Sequence, residues 1–255
     1  MPLRFRVAIP ARYASTRLPG KLLLPLAGRP LLEHVHRRAL ESGAEMVVIA
    51  TDDERIRVAA EGFGAAVYMT AAEHPSGTDR LAELTECLGW DDDTIVVNLQ
   101  GDEPLMPPAL IRTAAQALVE QPEAGITTLC APIHEATELF DPNTVKVVRD
   151  ACGFALYFSR APIPWHRDRF AGGQRELPEE TRYYRHIGLY AYRAAVLRRY
   201  PRLASSPAER AESLEQLRAL WHGIRIFVAE AASAPPPGVD TAADLERVRA
   251  YLASS

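Results

Sequence analysis

The 255-residue chain lacks the marks of several large protein classes. Its three cysteines, Cys87, Cys130 and Cys152, form no CxxC pair and no even-numbered framework. That argues against a disulfide scaffold or a thiolate zinc site and suits a reducing compartment. There is no HExxH, and His34 and His36 are two apart on a helical pattern, so they face different directions. No apolar run approaches the ~20 residues that cross a bilayer. No apolar signal region precedes the first strand, so a cytoplasmic protein is expected. A net charge of −4 and a pI near 6.0 argue against nucleic acid or an anionic membrane as the main partner. Two nucleotide signatures are also missing. Gly20-Lys21 is followed by Leu22 without the upstream glycine of a P-loop, and no G-x-G-x-x-G follows the first strand. No serine or cysteine has a nucleophile's setting.

What is present is an alternation of strand and helix. Strands are expected at 4–9, 45–51, 66–69, 94–99 and 125–131, and helices at 31–42, 56–62, 78–88 and 107–120. Near-continuous apolar runs such as Met46 to Ala50 suit strands buried on both faces of a parallel sheet. The texture then changes. Segments 145–148, 155–158 and 187–192 read as strands with no long helix between them, and 160–180 is rich in Pro, Arg and Gly. A helix over 208–221, a strand over 224–229 and a helix over 242–252, opened by Thr241 and Asp244 in a capping-box-like pair, complete the pattern. The expectation is one α/β domain over 1–255 with a mixed, mostly parallel sheet. An antiparallel elaboration over 133–184 would be inserted in it, offering edges for a partner.

Three stretches carry candidate chemistry. Arg12, Arg17 and Lys21 lie on the loop after the first strand, where open α/β sheets place ligands. Arginine forks and a mobile lysine suit a triphosphate, although a basic loop that simply faces water fits the composition equally well. Asn98-Leu99-Gln100-Gly101-Asp102-Glu103-Pro104 ends the fourth strand. Carboxylates there are costly unless solvated, paired or metal-bound, and Mg²⁺ favours such oxygens together with substrate phosphates. The alternative is a plain turn leading into the next helix. Asp240, delivered by the stiff Ala-Pro-Pro-Pro-Gly segment, could add a second carboxylate or merely precede a helix. His186, at the start of a strand, could reach a polar ligand or sit satisfied in the interior.

The loop from Ile9 to Lys21 (IPARYASTRLPGK) resembles the signature loop of the 3-deoxy-manno-octulosonate (Kdo) cytidylyltransferases. So do, in order, Ser76 to Arg80, Asn98 to Pro104, Pro142-Asn143 with Val145 to Val148, Tyr157 to Ala161, Ile163 to Trp165, His186 to Gly188, Leu214 to Arg218 and Gly238 to Thr241. The resemblance implies a Rossmann-like nucleotide-diphospho-sugar transferase fold, a homodimer and Mg²⁺ dependence. It also implies formation of CMP-Kdo and pyrophosphate from CTP and Kdo for lipopolysaccharide biosynthesis. By that likeness Pro10, Ala11, Arg12, Arg17, Lys21 and Gln100 meet the nucleotide, with Gly77, Thr78 and Arg80 near its base and ribose. Asp102 and Asp240 carry the metal. Gln100, Arg160, His186, Tyr190, Glu215 and Gln216 line the sugar-acid pocket. Another 2-keto sugar acid, such as sialic acid or 8-amino Kdo, is the alternative acceptor, and a non-catalytic nucleotide-binding module is the alternative class. Pro75, before Ser76, departs from the family pattern and could stiffen the approach to the base.

Overall fold

The computed structural model describes residues 3–14, 17–173, 176–231 and 234–254. Ser15 and Thr16, the two hydroxyls of the first loop, lie outside the described residues. The chain divides into two compact units, Met1–Gln116 with Ala191–Pro201 and Pro235–Ser255, and Ala117–Tyr190 with Arg202–Ala234.

The first unit opens with β1 (Arg6–Ala11), a two-residue pair β2 (Pro25–Leu26) and β3 (Arg29–Pro30), and α1 (Leu31–Glu41). It continues through β4 (Met46–Thr51), α2 (Glu54–Gly62), β5 (Ala66–Met69), α3 (Gly77–Cys87), β6 (Ile95–Asn98) and the start of α4 (Pro108–Glu120). Strand order here is β6-β1-β4-β5, all parallel, with Val7 opposite both Val47 and Val97. Val7 to Ala11 are buried without a break. Both faces are covered, as parallel sheets require. Asp53 caps α2 and Ser76 caps α3, each accepting a backbone N–H two or three residues on. These caps start the helices close to the strands' carboxyl ends.

The second unit holds the end of α4, β7 (Ile126–Pro132), α5 (Ala136–Phe140), β8 (Lys146–Arg149), β9 (Ala155–Ser159), α6 (Arg167–Ala171) and most of β10 (Tyr184–Arg193). After α7 (Ala194–Arg199), which belongs to the first unit, come α8 (Pro207–Glu212), α9 (Gln216–Trp221) and β11 (Ile226–Glu230). The last helix, α10 (Ala242–Ser254), returns to the first unit. Strand β11 runs parallel to β7, whereas β8 is antiparallel to both β9 and β10. The strand pairings are therefore mixed and mostly parallel, as expected.

One element differs from its pattern. The apolar spacing predicts a single helix over 208–221, but the chain breaks at Ser213, whose φ of +51° is left-handed. A capping box between Ser206 and Glu209 starts α8, and α9 begins afresh at Gln216. Periodicity hides such a break because Leu214 and Leu217, which follow it, stay buried. Among the described residues no helix is long and apolar enough to cross a membrane.

Candidate active site

The carboxyl ends of β1 and β6, with the amino end of α3, enclose a cavity of about 270 Å³ in the first unit. It is lined by Pro10, Arg12, Lys21, Leu22, Pro75, Ser76, Gly77, Gln100, Gly101 and Asp102. Two strand ends and a helix amino terminus are a setting for an anion, because the first N–H groups of α3 have no partner within the helix. Gly101 makes the floor possible. A side chain there would come within 3.0 Å of the Pro10 carbonyl oxygen and 3.3 Å of Leu22.

Lys21 is the centre of the charge arrangement. Its Nζ donates to Asp102 Oδ2 at 2.7 Å, to Asp240 Oδ1 at 3.0 Å and to the Val239 carbonyl at 3.0 Å. Burial alone would lower the ammonium's pKa, but the charges and hydrogen bonds of Asp102 and Asp240 outweigh it and raise the value above that of an ordinary lysine. The other oxygen of Asp240 pairs with Arg17 at 3.0 Å. Asp240 is brought there by Gly238, where an added Cβ would lie 2.9 Å from the Asp102 carbonyl oxygen, and by Val239, which donates its N–H to that same oxygen at 2.8 Å. The proline-rich segment therefore docks on Asp102 by backbone contact. Arg12 is braced by the carbonyls of His74 and Pro75, on the loop that carries the departure at Pro75. Glu83 holds that loop through the Ala71 N–H and the His74 ring.

Arg80 is placed differently from its sequence-based role. It is fully buried, bonded through Nη1 to Thr70 and ion-paired through Nη2 with Asp52 at 3.2 Å. Its guanidinium does not line the cavity, and Thr78 is buried as well. Gly77 is at the cavity wall, close enough to Pro10 that a Cβ would come within 3.2 Å of its ring.

The expected sugar residues other than Gln100 belong to the second unit. The His186 ring meets Phe158 edge-on at 5.0 Å and Tyr190 at 5.3 Å between centroids. Burial, aided by the neighbouring Arg185 charge, pushes its pKa down to about 3, so the ring is neutral. Thr128 Oγ1 lies 2.9 Å from His186 Nε2 and also faces the carbonyls of Ile187 and Leu189. The hydroxyl has one proton, which goes to a carbonyl, so Nε2–H donates to Thr128. Nδ1 is left as an acceptor. Arg160 is held by Glu212 and Pro142, and Gln216 opens α9 beside Glu215. Two residues that hydrogen-bond Arg160, Lys146 and Glu212, are not singled out by motif reasoning. The signal for Lys146 is a cation inside the β-branched run Val145 to Val148.

A cytidylyltransferase family model matches residues 7–226. A 3-deoxy-manno-octulosonate cytidylyltransferase from Hahella chejuensis is 59% identical over 98% of both chains. The chain belongs to the 3-deoxy-manno-octulosonate cytidylyltransferase family. A further member of this family, from Nitrosococcus oceani, is 59% identical over 98% of this chain and 97% of its own. Among solved structures, a CMP:2-keto-3-deoxy-manno-octonic acid synthetase complexed with CTP superposes with a TM-score of 0.89 at 46% identity, over 98% of each chain. A cytidylyltransferase from Leptospira borgpetersenii, at 17% identity and a TM-score of 0.62 over 99% of this chain and 87% of that one, shares the fold.

Proposed function

We propose that this chain transfers the cytidylyl group of CTP to Kdo, giving CMP-Kdo and pyrophosphate. The observation that carries the reading is the convergence of Lys21, Asp102, Asp240 and Arg17 at one end of the first-unit cavity, within a chain of this family. The anomeric hydroxyl of Kdo attacks the α-phosphorus, a P–O bond forms to the sugar, and the bond to the β-phosphate breaks. Little covalent chemistry is asked of the protein. Positioning and charge neutralisation supply most of the rate. Arg12, Arg17 and Lys21 hold the phosphates, exchanging some of their present protein acceptors for phosphate oxygens. Pro10, Ala11, Gly77, Thr78 and Gln100 shape the nucleotide's seat, and Arg80 stiffens it from behind through Asp52 and Thr70.

Asp102 and Asp240 suit Mg²⁺. Both are hard oxygen donors, and both point at one cation in this structure. Among the described residues no group of three or more His, Cys, Asp or Glu forms a metal cluster. Mg²⁺ commonly takes one or two carboxylates and completes its shell with phosphates and water, so a pair is enough. Bound there, the ion would polarise an α-phosphate oxygen and lower the pKa of the attacking hydroxyl.

In the second unit, Arg160 takes the sugar carboxylate, the Nδ1 of His186 accepts a sugar hydroxyl, and Tyr190, Glu215 and Gln216 complete the recognition. The stretch 133–184 carries the homodimer contact. Support comes from the exposure of Leu156 (61%), Tyr157 (39%) and Trp165 (56%) within it. Pyrophosphate release measured across the four nucleoside triphosphates, with Kdo, 8-amino Kdo and sialic acid as acceptors, tests the reading. Release should require CTP and Kdo and be abolished by Asp102→Asn. Release by Asp102→Asn near the parent rate, or a preference for another acceptor, would overturn it.

A further inference from the structure

Lys146 is fully buried, and among the described residues no carboxylate side chain accepts from it. Its three N–H groups go to three backbone carbonyls, those of Asp141 (2.9 Å), Thr144 and Arg160 (2.6 Å). A buried ammonium bonded to carbonyls is expensive, and burial lowers its pKa in spite of the opposing charges of Asp141, Glu212 and Glu138 nearby. A purely structural position on β8 would be filled at less cost by an apolar side chain.

The carbonyls that Lys146 gathers share one geometric consequence. The Asp141–Thr144 turn is fixed from inside, and that turn presents the Pro142 carbonyl, which accepts from Arg160 Nη1 at 3.0 Å. Arg160's own carbonyl is held by the same ammonium. On the other side stands Glu212. Its carboxylate accepts the Arg160 N–H at 2.8 Å and the Ser159 hydroxyl at 2.6 Å, and its carbonyl accepts Arg160 Nε at 2.7 Å. Glu212 is the last residue of α8, and the left-handed Ser213 follows it. The helix break therefore releases the carbonyl of Glu212 from helical bonding and leaves it to Arg160. The result is an arginine held at its N–H, its C=O, its Nε and its Nη1, with no hydrogen bond at Nη2 among the described residues.

We infer that Lys146 and Glu212 are positioning residues that hold Arg160 in one orientation for the carboxylate of the acceptor sugar acid. The inference rests on the reading of Arg160 as the carboxylate partner. A guanidinium with two of its three nitrogens already committed has lost most of its rotamer freedom before substrate arrives, so less entropy is lost on binding. The frame should act on the acceptor more than on the nucleotide, since the residues that bond Lys146 and Arg160 here are not among those lining the Lys21 cavity.

Steady-state kinetics on Lys146→Met, Glu212→Gln, Arg160→Ala and the double variant Lys146→Met with Arg160→Ala test this. Arg160→Ala should raise the KM for Kdo strongly, and Lys146→Met and Glu212→Gln should each raise it about ten- to a hundredfold, the usual range for residues that orient a ligand-binding group. The KM for CTP should stay within about twofold throughout. In the Arg160→Ala background, Lys146→Met should add no further rise, because its effect runs through Arg160. If Arg160→Ala leaves the KM for Kdo unchanged, the carboxylate reading fails. If Arg160→Ala raises it and Lys146→Met and Glu212→Gln do not, the frame alone fails. Equal losses toward both substrates, with a lowered Tm, would make Lys146 a fold residue and overturn the inference. Should Lys146→Met not fold, Glu212→Gln decides by the same split.

Discussion

Replacing Lys21 with methionine removes the ammonium on which Asp102 and Asp240 converge and keeps most of the side chain's apolar length. The two carboxylates would then face each other with Arg17 on the outer oxygen of Asp240. Two unit charges ~4 Å apart interact by about 4 kcal/mol at an effective dielectric of ~20. Asp102 and Asp240 are 29% and 47% exposed, so water and salt screen much of that repulsion. The expected loss of unfolding free energy is about 1–2 kcal/mol. A divalent cation changes the sign of the comparison. In the parent it must displace an ammonium that makes three hydrogen bonds, whereas in Lys21→Met it meets two unneutralised carboxylates. Urea unfolding with and without millimolar Mg²⁺, in the absence of nucleotide, separates the cases. Magnesium alone should stabilise Lys21→Met more than the parent and restore much of the lost midpoint, while turnover falls about a hundredfold or more for want of a phosphate cation. A variant that unfolds like the parent and gains nothing extra from Mg²⁺ would refute the reasoning.

Other residues give independent tests. Gly238→Ala places a Cβ 2.9 Å from the Asp102 carbonyl oxygen and 3.1 Å from the Glu103 carboxyl carbon, so the backbone beside the site must give. The kcat should drop about tenfold or more with a small change in Tm, and a parent kcat would show that Asp240's seat tolerates the shift. His186 is neutral in the fold because its pKa is pushed down to about 3. The unfolded chain binds a proton near pH 6.5 that the folded chain does not, so stability falls as pH drops below about 6.5, by at most ~1.4 kcal/mol per pH unit. His186→Asn should make the urea midpoint fall less steeply between pH 6.5 and 5, where buried His36, also depressed, contributes the same sign and the depressed carboxylates of Asp53, Glu83, Glu209 and Asp244 do not yet titrate. An unchanged slope would mean that the ring is charged in the fold. Ser213→Gly relieves a left-handed φ of +51° and should stabilise by about 0.5–1 kcal/mol in thermal or urea melts. A loss of stability would show that the Ser213 side chain does more than tolerate its backbone.

The first unit was the more readable half because its signals are local. The main strands there are short apolar runs, α2 and α3 open on the caps Asp53 and Ser76, and the candidate ligands follow strand ends. The convergence of Lys21, Asp102 and Asp240 was legible as residue types, but the bonds between them span 81 and 219 positions, and no local pattern encodes that distance. Arg80 shows the limit of reading by motif. Its place in Ser-Gly-Thr-Asp-Arg suggests a ligand contact, yet one helical turn beyond Gly77 its side chain is fully buried and paired with Asp52. The break at Ser213 was invisible because hydrophobic period reports burial, and burial continues through Leu214 and Leu217 whether or not the helix does.

That break also explains why a buried lysine and a helix-terminal glutamate belong to one functional argument. An unbroken helix through residue 213 would engage the Glu212 carbonyl four residues on and leave Arg160 Nε without its acceptor. A methionine at 146 would pack β8 but release the Asp141–Thr144 turn and, with it, the acceptor for Nη1. Each feature is unfavourable alone, one a strained φ and the other a desolvated charge. Both are coherent when the guanidinium they hold must meet a carboxylate in a fixed plane. The first unit uses the opposite device: its cations rest on the carboxylates and carbonyls of the site itself, and those contacts can be exchanged when phosphate and metal arrive. One substrate would then be met by preset geometry and the other by exchangeable charge, and the KM split for Lys146→Met against the Mg²⁺ response of Lys21→Met measures the two separately.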